Sequence, residues 1–341
     1  SNPKVLAEYE KLFIKHNVGG VMLFNEYKKD WANVENQLVN EEYATSLIRK
    51  LKSYSKDLFV GVDVEGGSVD RLHQVRGGRY PSARLLGKLF QDMNDHLFIS
   101  YFEEQGSYLK ELGFNFNAAP VLDVVPSYDE KYLMAYSERS FSDDAETVSG
   151  IGRICIKSLQ DCGIMPVAKH FPGLGPVLRD YDPHYSFPKI RSISEESMKP
   201  FREAINHGLD AVMTTHLKVS KYGKSIATTN KKIVSILRKK CFNGIIMTDD
   251  LCLMSTGMFG KTEGLNKKNL KNIVKTACQA FKAGHDIVLV RQLGLVNDDK
   301  TDIIRMIIDE VSKKVDQGVI SEEQLRESYK KVLGLKRKYC T

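Results

Sequence analysis

The chain has 341 residues, of which 42% are hydrophobic and 27% are charged, a balance typical of globular domains. Lys and Arg (50) exceed Asp and Glu (43), which gives a formal net charge of +7. Because the two signs are interspersed along most of the chain, we interpret the excess as a slightly basic surface and predict no nucleic-acid partner. No apolar run approaches the roughly 18 residues that cross a bilayer, so we predict no membrane span.

The six cysteines fall at irregular spacings without a C-x-x-C pair. This pattern argues against zinc knuckles and redox motifs and is typical of a reducing compartment, so we expect a cytoplasmic location. Separately, we expect the protein to be a monomer. The sequence begins with Ser1, Asn2 and Pro3 instead of Met. We therefore expect residues upstream to be missing, and a periplasmic or lipoprotein form is the alternative if a leader was removed.

Taken in order, the chain repeats one unit: an amphipathic helix, a short apolar strand and a polar loop. The first helix is predicted over residues 4–16 and the second over 41–53. Strands are predicted at 21–24, 58–63, 114–119, 165–168, 211–215, 244–248 and 287–290. Near the C-terminus, Ser321 to Gln324 form a capping box, with the Ser321 side chain bonded to the third helical N–H and Gln324 reaching back.

Seven such strands predict either an open doubly wound sheet or a closed (β/α)8 barrel of the TIM type. We favour the barrel because polar residues stand at the end of almost every strand. The eighth strand would then precede residue 1 or be hidden in the pattern. No linker-like segment interrupts the chain, so residues 1–341 are expected to form a single domain.

The polar residues at the strand ends are the candidates for chemistry. Lys169 and His170 follow an apolar strand, where they form either a buried ion pair or a ligand-binding pair; the loop made by Pro172 and Gly173 favours the second. Asp63 precedes a glycine pair and is either a turn residue or a ligand contact. Arg71, Arg139 and His216 are further candidates, and isolated arginines are more often surface residues.

Two acidic motifs could supply catalytic groups. Asp182 and His184 stand two residues apart in a loop, where a carboxylate can orient an imidazole for acid/base work. Asp249 and Asp250 end an apolar strand, so one could cap a helix while the other reacts. A metal site from these histidines and aspartates is conceivable, but no ligand spacing such as H-x-x-x-H occurs, and we predict no metal and no cofactor.

Six motifs together resemble glycoside hydrolase family 3, and within it the single-domain β-N-acetylglucosaminidases (β-N-acetylhexosaminidases) of peptidoglycan recycling. They are V-D-V-E-G-G-x-V-x-R (62–71), G-F-N-F-N-A-A-P-V-L-D-V (113–124), E-R-S-F (138–141), A-K-H-F-P-G-x-G (168–175), V-M-T-T-H (212–216) and G-I-I-M-T-D-D-L (244–251). They occur in the family's order and cover roughly residues 18–290.

The resemblance implies a (β/α)8 barrel that hydrolyses terminal β-linked N-acetylglucosamine with retention, using no cofactor. It implies Asp249 as the nucleophile and His184, held by Asp182, as the acid/base group. It assigns the contacts with the small carbohydrate substrate to a further set of residues: Asp63, Arg71, Arg139, Lys169, His170 and His216.

Three departures from the family pattern concern substrate contacts. Leu174 and Pro176 stand where the family usually has His and Asp, and Ser68 stands where it usually has Arg. The loop is also two residues longer, and we assign its catalytic pair to Asp182 and His184 because the spacing from His184 to Pro188 fits the family. The alternatives are a β-glucosidase or β-xylosidase without acetamido preference, or a non-catalytic sugar-binding barrel.

Overall fold

A computed structural model describes residues 16–24, 38, 40–179, 187–252, 267–290 and 303–340. Its strands are β1 (Gly20–Met22), β2 (Phe59–Val62), β3 (Val64–Gly66), β4 (Val69–Asp70), β5 (Phe116–Asn117), β6 (Met165–Phe171), β7 (Lys189–Ile190), β8 (Ala211–Thr214), β9 (Lys218–Val219), β10 (Ile245–Asp250) and β11 (Ile287–Leu289).

Helices alternate with these strands. They are α1 (Glu41–Tyr54), α2 (His73–Arg76), α3 (Ala83–Leu89), α4 (Asp95–Leu112), α5 (Leu133–Tyr136), α6 (Ala145–Asp161), α7 (Glu195–Asn206), α8 (Lys231–Lys239), α9 (Lys267–Ala283), α10 (Ile303–Asp316) and α11 (Glu322–Tyr339), with short 3-10 turns at Ser220–Tyr222 and Ala227–Thr229. Within the described residues, no helix is long and apolar enough to cross a membrane.

Seven strands form one sheet in the order β1-β2-β5-β6-β8-β10-β11, and every neighbouring pair is parallel. These are the seven strands predicted from the sequence, in chain order. The predicted helix at 41–53 is α1, whereas the predicted helix at 4–16 lies outside the described residues except for His16. The connections are long enough for a helix, as parallel pairing requires.

Two strands extend further than the hydrophobic pattern predicted. Pairing of β6 continues to Phe171 and pairing of β10 continues to Asp250, because Phe171 aligns with Thr214 and Asp250 aligns with Leu289. Lys169, His170 and Asp249 therefore lie within strands, not in the loops after them. Strand backbone holds these side chains more rigidly than a loop would.

The sheet is curled around an apolar core. Side chains from β2, β5, β6, β8 and β10 form one buried cluster, and Met22 of the first strand and Leu289 of the last both pack against it. Helices cover the outer face and bury a second, larger cluster there. The described strands thus form a curled parallel sheet of the half-barrel kind, and complete closure stays a prediction.

The C-terminal helix α11 covers the amino end of the sheet. It begins as predicted, since Ser321 Oγ accepts a hydrogen bond from Gln324 N at 3.2 Å. The prediction for the Gln324 side chain was wrong: its Nε2 donates to the carbonyl of Phe281 at the end of α9. The Gln324 side chain therefore links the start of α11 to the end of α9 instead of capping its own helix.

Two aspartates that immediately precede strands tie α11 to the sheet. Asp286, just before β11, accepts from Ser328 Oγ at 2.6 Å and Lys331 Nζ at 3.3 Å. Its other oxygen accepts from Ile246 N at 2.8 Å and from Arg238. Asp210, just before β8, accepts from Lys338 Nζ at 2.9 Å. Because these contacts lie at the amino ends of the strands, the opposite end of the sheet is left for chemistry.

Replacing Asp286 with Ala should lower the free energy of unfolding by about 3–5 kcal/mol, because Arg238 and three further donors lose one buried acceptor. Urea unfolding followed by circular dichroism measures the loss. Glu327→Ala, which removes an exposed acid from the same helix, is the control and should leave stability unchanged. Equal stability of the two variants would show that Asp286 does not anchor α11.

Candidate active site

A buried carboxylate, Glu65, lies at the centre of the polar residues at the carboxyl end of the sheet. Its Oε1 accepts from Lys169 Nζ at 2.6 Å, and Arg139 donates to both carboxylate oxygens, at 2.7 Å from Nε and 2.8 Å from Nη2. The Glu65 side chain is only 3% exposed. Lys169 Nζ also lies 2.6 Å from Asp63 Oδ1, so the Lys169 ammonium joins two acids, and one of them is also paired with Arg139.

The charges of this cluster stabilise one another. Burial alone would raise the pKa of Glu65, but the Arg139 and Lys169 cations outweigh burial and hold that pKa well below its ordinary value. Burial likewise opposes the charge of Lys169, yet the Asp63 and Glu65 carboxylates raise the pKa of its ammonium. Burial would lower the pKa of Arg139 as well, but the Glu65 carboxylate outweighs burial and raises that pKa. All three groups therefore stay charged near neutral pH.

His170 extends the cluster by two hydrogen bonds. Its Nε2 lies 3.1 Å from Arg139 Nη2 and its Nδ1 lies 2.7 Å from Asp123 Oδ2. A guanidinium only donates, so Nε2 accepts and Nδ1 carries the proton that is donated to Asp123. The tautomer and the ring orientation of His170 are thereby fixed.

The loop after β6 is tied to the same aspartate. Leu174, at one of the positions that depart from the family pattern, is buried, and its N–H donates to Asp123 Oδ1 at 2.7 Å. Gly175 follows where an added Cβ would come within 1.7 Å of the Val124 carbonyl oxygen. This part of the loop is therefore packed against the chain after β5, and Leu174 contributes to the core.

The two aspartates at the end of β10 have different surroundings. Asp250 is buried, and its Oδ1 accepts from Cys252 N at 2.9 Å, as a capping residue does. Asp249 is partly exposed, and its Oδ1 accepts from the Asp250 N–H at 2.7 Å. Asp249 is accordingly the carboxylate that a substrate can reach.

His216 lies beneath this strand end. Its Nε2 is 3.1 Å from the Asp250 carbonyl oxygen and its Nδ1 is 2.7 Å from Thr228 Oγ1. The Thr228 hydroxyl is also 3.1 Å from the Thr215 carbonyl oxygen. Burial lowers the pKa of His216, and the Asp249 charge opposes that shift. The ring is thus held between the Asp249–Asp250 strand end and a threonine hydroxyl.

Of the nine residues predicted for the site, the structure brings Asp63, Arg139, Lys169 and His170 into contact and places His216 against the Asp249–Asp250 strand end. Arg71 donates its backbone N–H to the Asp63 carbonyl at 3.0 Å, and its guanidinium lies 5.4 Å from the centre of the Phe24 ring. Asp182 and His184 lie outside the described residues. The roles assigned to all nine stay predictions.

The sequence reasoning missed three residues that position others: Glu65, Asp123 and Thr228. Glu65 and Asp123 both stand in the family motifs, two and four residues beyond a predicted strand end, and an acid there is a natural partner for a buried cation. Thr228 had no such signal. The described residues contain no group of three or more His, Cys, Asp or Glu side chains that could hold a metal ion.

Comparison with known proteins identifies the family. The model of the glycosyl hydrolase family 3 N-terminal domain matches residues 3–335. The chain belongs to glycoside hydrolase family 3. This family membership agrees with the resemblance carried by the six sequence motifs.

Relatives with known names agree with this assignment. A beta-hexosaminidase from Nitrosomonas eutropha is 30% identical over 296 residues, which are 84% of this chain and 77% of that protein. Beta-hexosaminidase LpqI from Mycobacterium tuberculosis is 31% identical over 244 residues, or 68% of this chain and 58% of LpqI. The chain therefore aligns with little more than half the length of some relatives.

A solved structure shares the fold. The family 3 beta-N-acetylglucosaminidase from Paenibacillus sp. superposes with a TM-score of 0.78 at 26% identity, covering 97% of this chain and 59% of that one.

Glu65→Gln should lower the free energy of unfolding by about 3 kcal/mol at pH 7, because Lys169 and Arg139 lose half of their compensating charge. A depressed carboxyl pKa stabilises the fold above the unfolded value of about 4.3, and this stabilisation is lost as the pH falls toward the folded value. The difference between wild type and variant should therefore be constant from pH 5 to 9 and shrink toward pH 3. A difference that grows on acidification, measured by urea unfolding, would contradict the assignment.

Thr228→Val should destabilise the fold by about 1–3 kcal/mol, because it leaves the buried Nδ1 of His216 and the Thr215 carbonyl without the hydroxyl. Thr228→Ser keeps the hydroxyl and is the matched control, which should retain at least half of that stability. Thermal unfolding of both variants measures the effect. If Thr228→Val were no more destabilising than Thr228→Ser, the hydroxyl and its two hydrogen bonds would not be what stabilises this position.

Proposed function

We propose that the protein hydrolyses glycosides that end in β-linked N-acetylglucosamine and retains the configuration at the anomeric carbon. The observation that carries the proposal is the partly exposed Asp249 carboxylate at the same end of the sheet as the buried cluster around Glu65. The beta-hexosaminidases among the relatives support the choice of sugar.

In the first step, an oxygen of the Asp249 carboxylate attacks the anomeric carbon as the bond to the leaving oxygen breaks. His184, held by Asp182, gives its proton to that oxygen, and a glycosyl ester on Asp249 results. In the second step His184 takes a proton from water, which attacks the anomeric carbon and releases Asp249. An imidazole with a reference pKa of about 6.5 can act in both directions near neutral pH.

Spare hydrogen-bond donors support the sugar-binding part of the proposal. The Lys169 ammonium has three N–H groups, and the described residues place carboxylates of Asp63 and Glu65 against two of them. Arg139 has five, of which Glu65 and His170 occupy three. The remaining donors suit sugar hydroxyl oxygens, and the ion pairs hold them in fixed directions.

We also propose that the sheet closes into the (β/α)8 barrel and that residues 1–341 form one catalytic domain. The uninterrupted parallel order of seven strands supports closure. So does the contact of the first and last strands with one apolar cluster.

Asp249→Asn should reduce kcat for 4-nitrophenyl N-acetyl-β-D-glucosaminide by a factor of about 1,000 or more, because the ester can no longer form. Stability should hardly change, since this carboxylate is partly exposed and, among the described residues, accepts a hydrogen bond only from the neighbouring Asp250 N–H. The matched control is Asp129→Asn, which alters an exposed aspartate paired with Lys131 and should retain activity. His184→Ala, in contrast, should lose little on this good leaving group and much on an alkyl glycoside.

Full activity of Asp249→Asn would exclude the proposed nucleophile. If the wild type turned over 4-nitrophenyl β-D-glucoside or β-D-xyloside faster than the N-acetylglucosaminide, the preferred sugar would be glucose or xylose and not N-acetylglucosamine. Binding of N-acetylglucosamine without turnover of any aryl glycoside would identify a non-catalytic protein.

A further inference from the structure

One long stretch of the chain carries many basic residues and no acidic residue. Residues 211–248 contain seven Lys and one Arg and no acidic residue, so this stretch alone exceeds the net charge of +7 of the whole chain. Strands β8 and β9, helix α8 and the start of β10 come from it.

Six basic side chains of this region and of neighbouring β7 form what we call the basic rim: Lys189, Arg191, Lys218, Lys221, Lys224 and Lys231. Lys218 is half-buried over the Phe187 ring, and the other five are exposed. Throughout the described part of the chain, no carboxylate forms an ion pair with any of the six. Glu195, the acid closest in sequence to Arg191, is paired with Arg202.

The rim brings like charges together. Lys189 of β7 and Lys218 of β9 are direct partners in a parallel pair, and Lys221 N donates to the Arg191 carbonyl at 3.0 Å. Like charges on paired strand positions are destabilising. Lys231 is the first residue of α8, where the helix dipole also disfavours a cation. A surface with no binding role would gain stability from acids at these positions.

The rim lies at the end of the sheet that carries the site. Lys218 follows His216 by two residues, so their Cα atoms are at most about 7 Å apart. Helix α8 then runs back to the amino end of β10, which places Lys239 and Lys240 at the opposite end. Lys218 is therefore beside the site, the other rim residues belong to the connections around it, and Lys239 and Lys240 lie at the far end of α8.

The surroundings of the rim favour a small anionic partner over a macromolecule. Phe187 and Tyr222 are half-buried, so no exposed aromatic ring is available between residues 187 and 252 for stacking nucleic-acid bases. The exposed large apolar side chains of the described residues also lie outside this range, which leaves nothing to insert into a lipid surface.

We propose that the basic rim binds negatively charged groups on the leaving part of the glycoside, and so selects anionic substrates. This inference rests on the proposed function, since it places the leaving group beside Asp249. Lysine ammonium groups within about a Debye length of the site would attract such a substrate and slow its escape. The selection is lost at high salt.

The test compares two aryl N-acetyl-β-glucosaminides that differ only in a tail on the aryl group, triglutamate in one and triglutamine in the other. The measured quantity is the ratio of their kcat/KM values at low and high salt. The rim variant is Lys221→Gln with Lys224→Gln, and the control is Lys239→Gln with Lys240→Gln, which removes the same charge at the far end of α8. Both pairs are exposed, so all proteins should fold.

In the wild type at low salt, the triglutamate substrate should be preferred about five- to tenfold. The rim variant should reduce that preference at least threefold, and the control should leave it within the wild-type range. An unchanged ratio in the rim variant, or equal losses in both variants, would overturn the proposal. The proposal would also be overturned if the rim variant lost binding to a single-stranded oligonucleotide or to anionic vesicles while its ratio of kcat/KM values stayed unchanged.

If the wild type cleaves neither substrate, the proposed hydrolysis fails and the rim is tested by binding instead. The corresponding thioglycosides, which resist hydrolysis, are titrated by fluorescence anisotropy with the same variants. A triglutamate preference that falls only in the rim variant supports the rim without the hydrolysis, and the absence of any preference overturns it.

Discussion

The arrangement of the site depends on the ion pairs of Glu65. This buried carboxylate holds Lys169 of one strand and Arg139 of a separate loop at hydrogen-bond distance. Without it, Lys169 would keep Asp63 as its partner while Arg139 would lose its ion pair, and desolvation of these cations would favour an opening of the structure. Because Arg139 in turn fixes His170, one acid sets the position and protonation of the groups around it.

The two ends of the sheet have separate roles. At the amino end, Asp210 and Asp286 are engaged by α11, and their oxygens are occupied by donors from that helix and from neighbouring backbone. At the carboxyl end, Asp249 is partly exposed, and Lys169 keeps one N–H beyond its pairs with Asp63 and Glu65. Parallel α/β folds commonly divide stability and chemistry in this way.

The strands were predictable because each is a short apolar run followed by polar residues, and this pattern depends only on local sequence. The cluster of polar strand ends followed from the parallel arrangement. The ion-pair partners of these residues could not be predicted in the same way. Nothing in the local sequence distinguishes Glu65, which pairs with two distant cations, from an acid at a turn. Similarly, Gln324 fits a capping box in sequence, yet the carbonyl of Phe281 competes for its side chain. Such choices depend on which elements meet in the fold.

The most direct measurement is the mass of the protein after reaction with a fluorinated N-acetylglucosaminyl donor that forms the glycosyl ester quickly and hydrolyses slowly. One added sugar per chain is expected, and peptide mapping should find it on the peptide that contains Asp249. No adduct on active enzyme, or an adduct on a different carboxylate, would contradict Asp249 as the nucleophile.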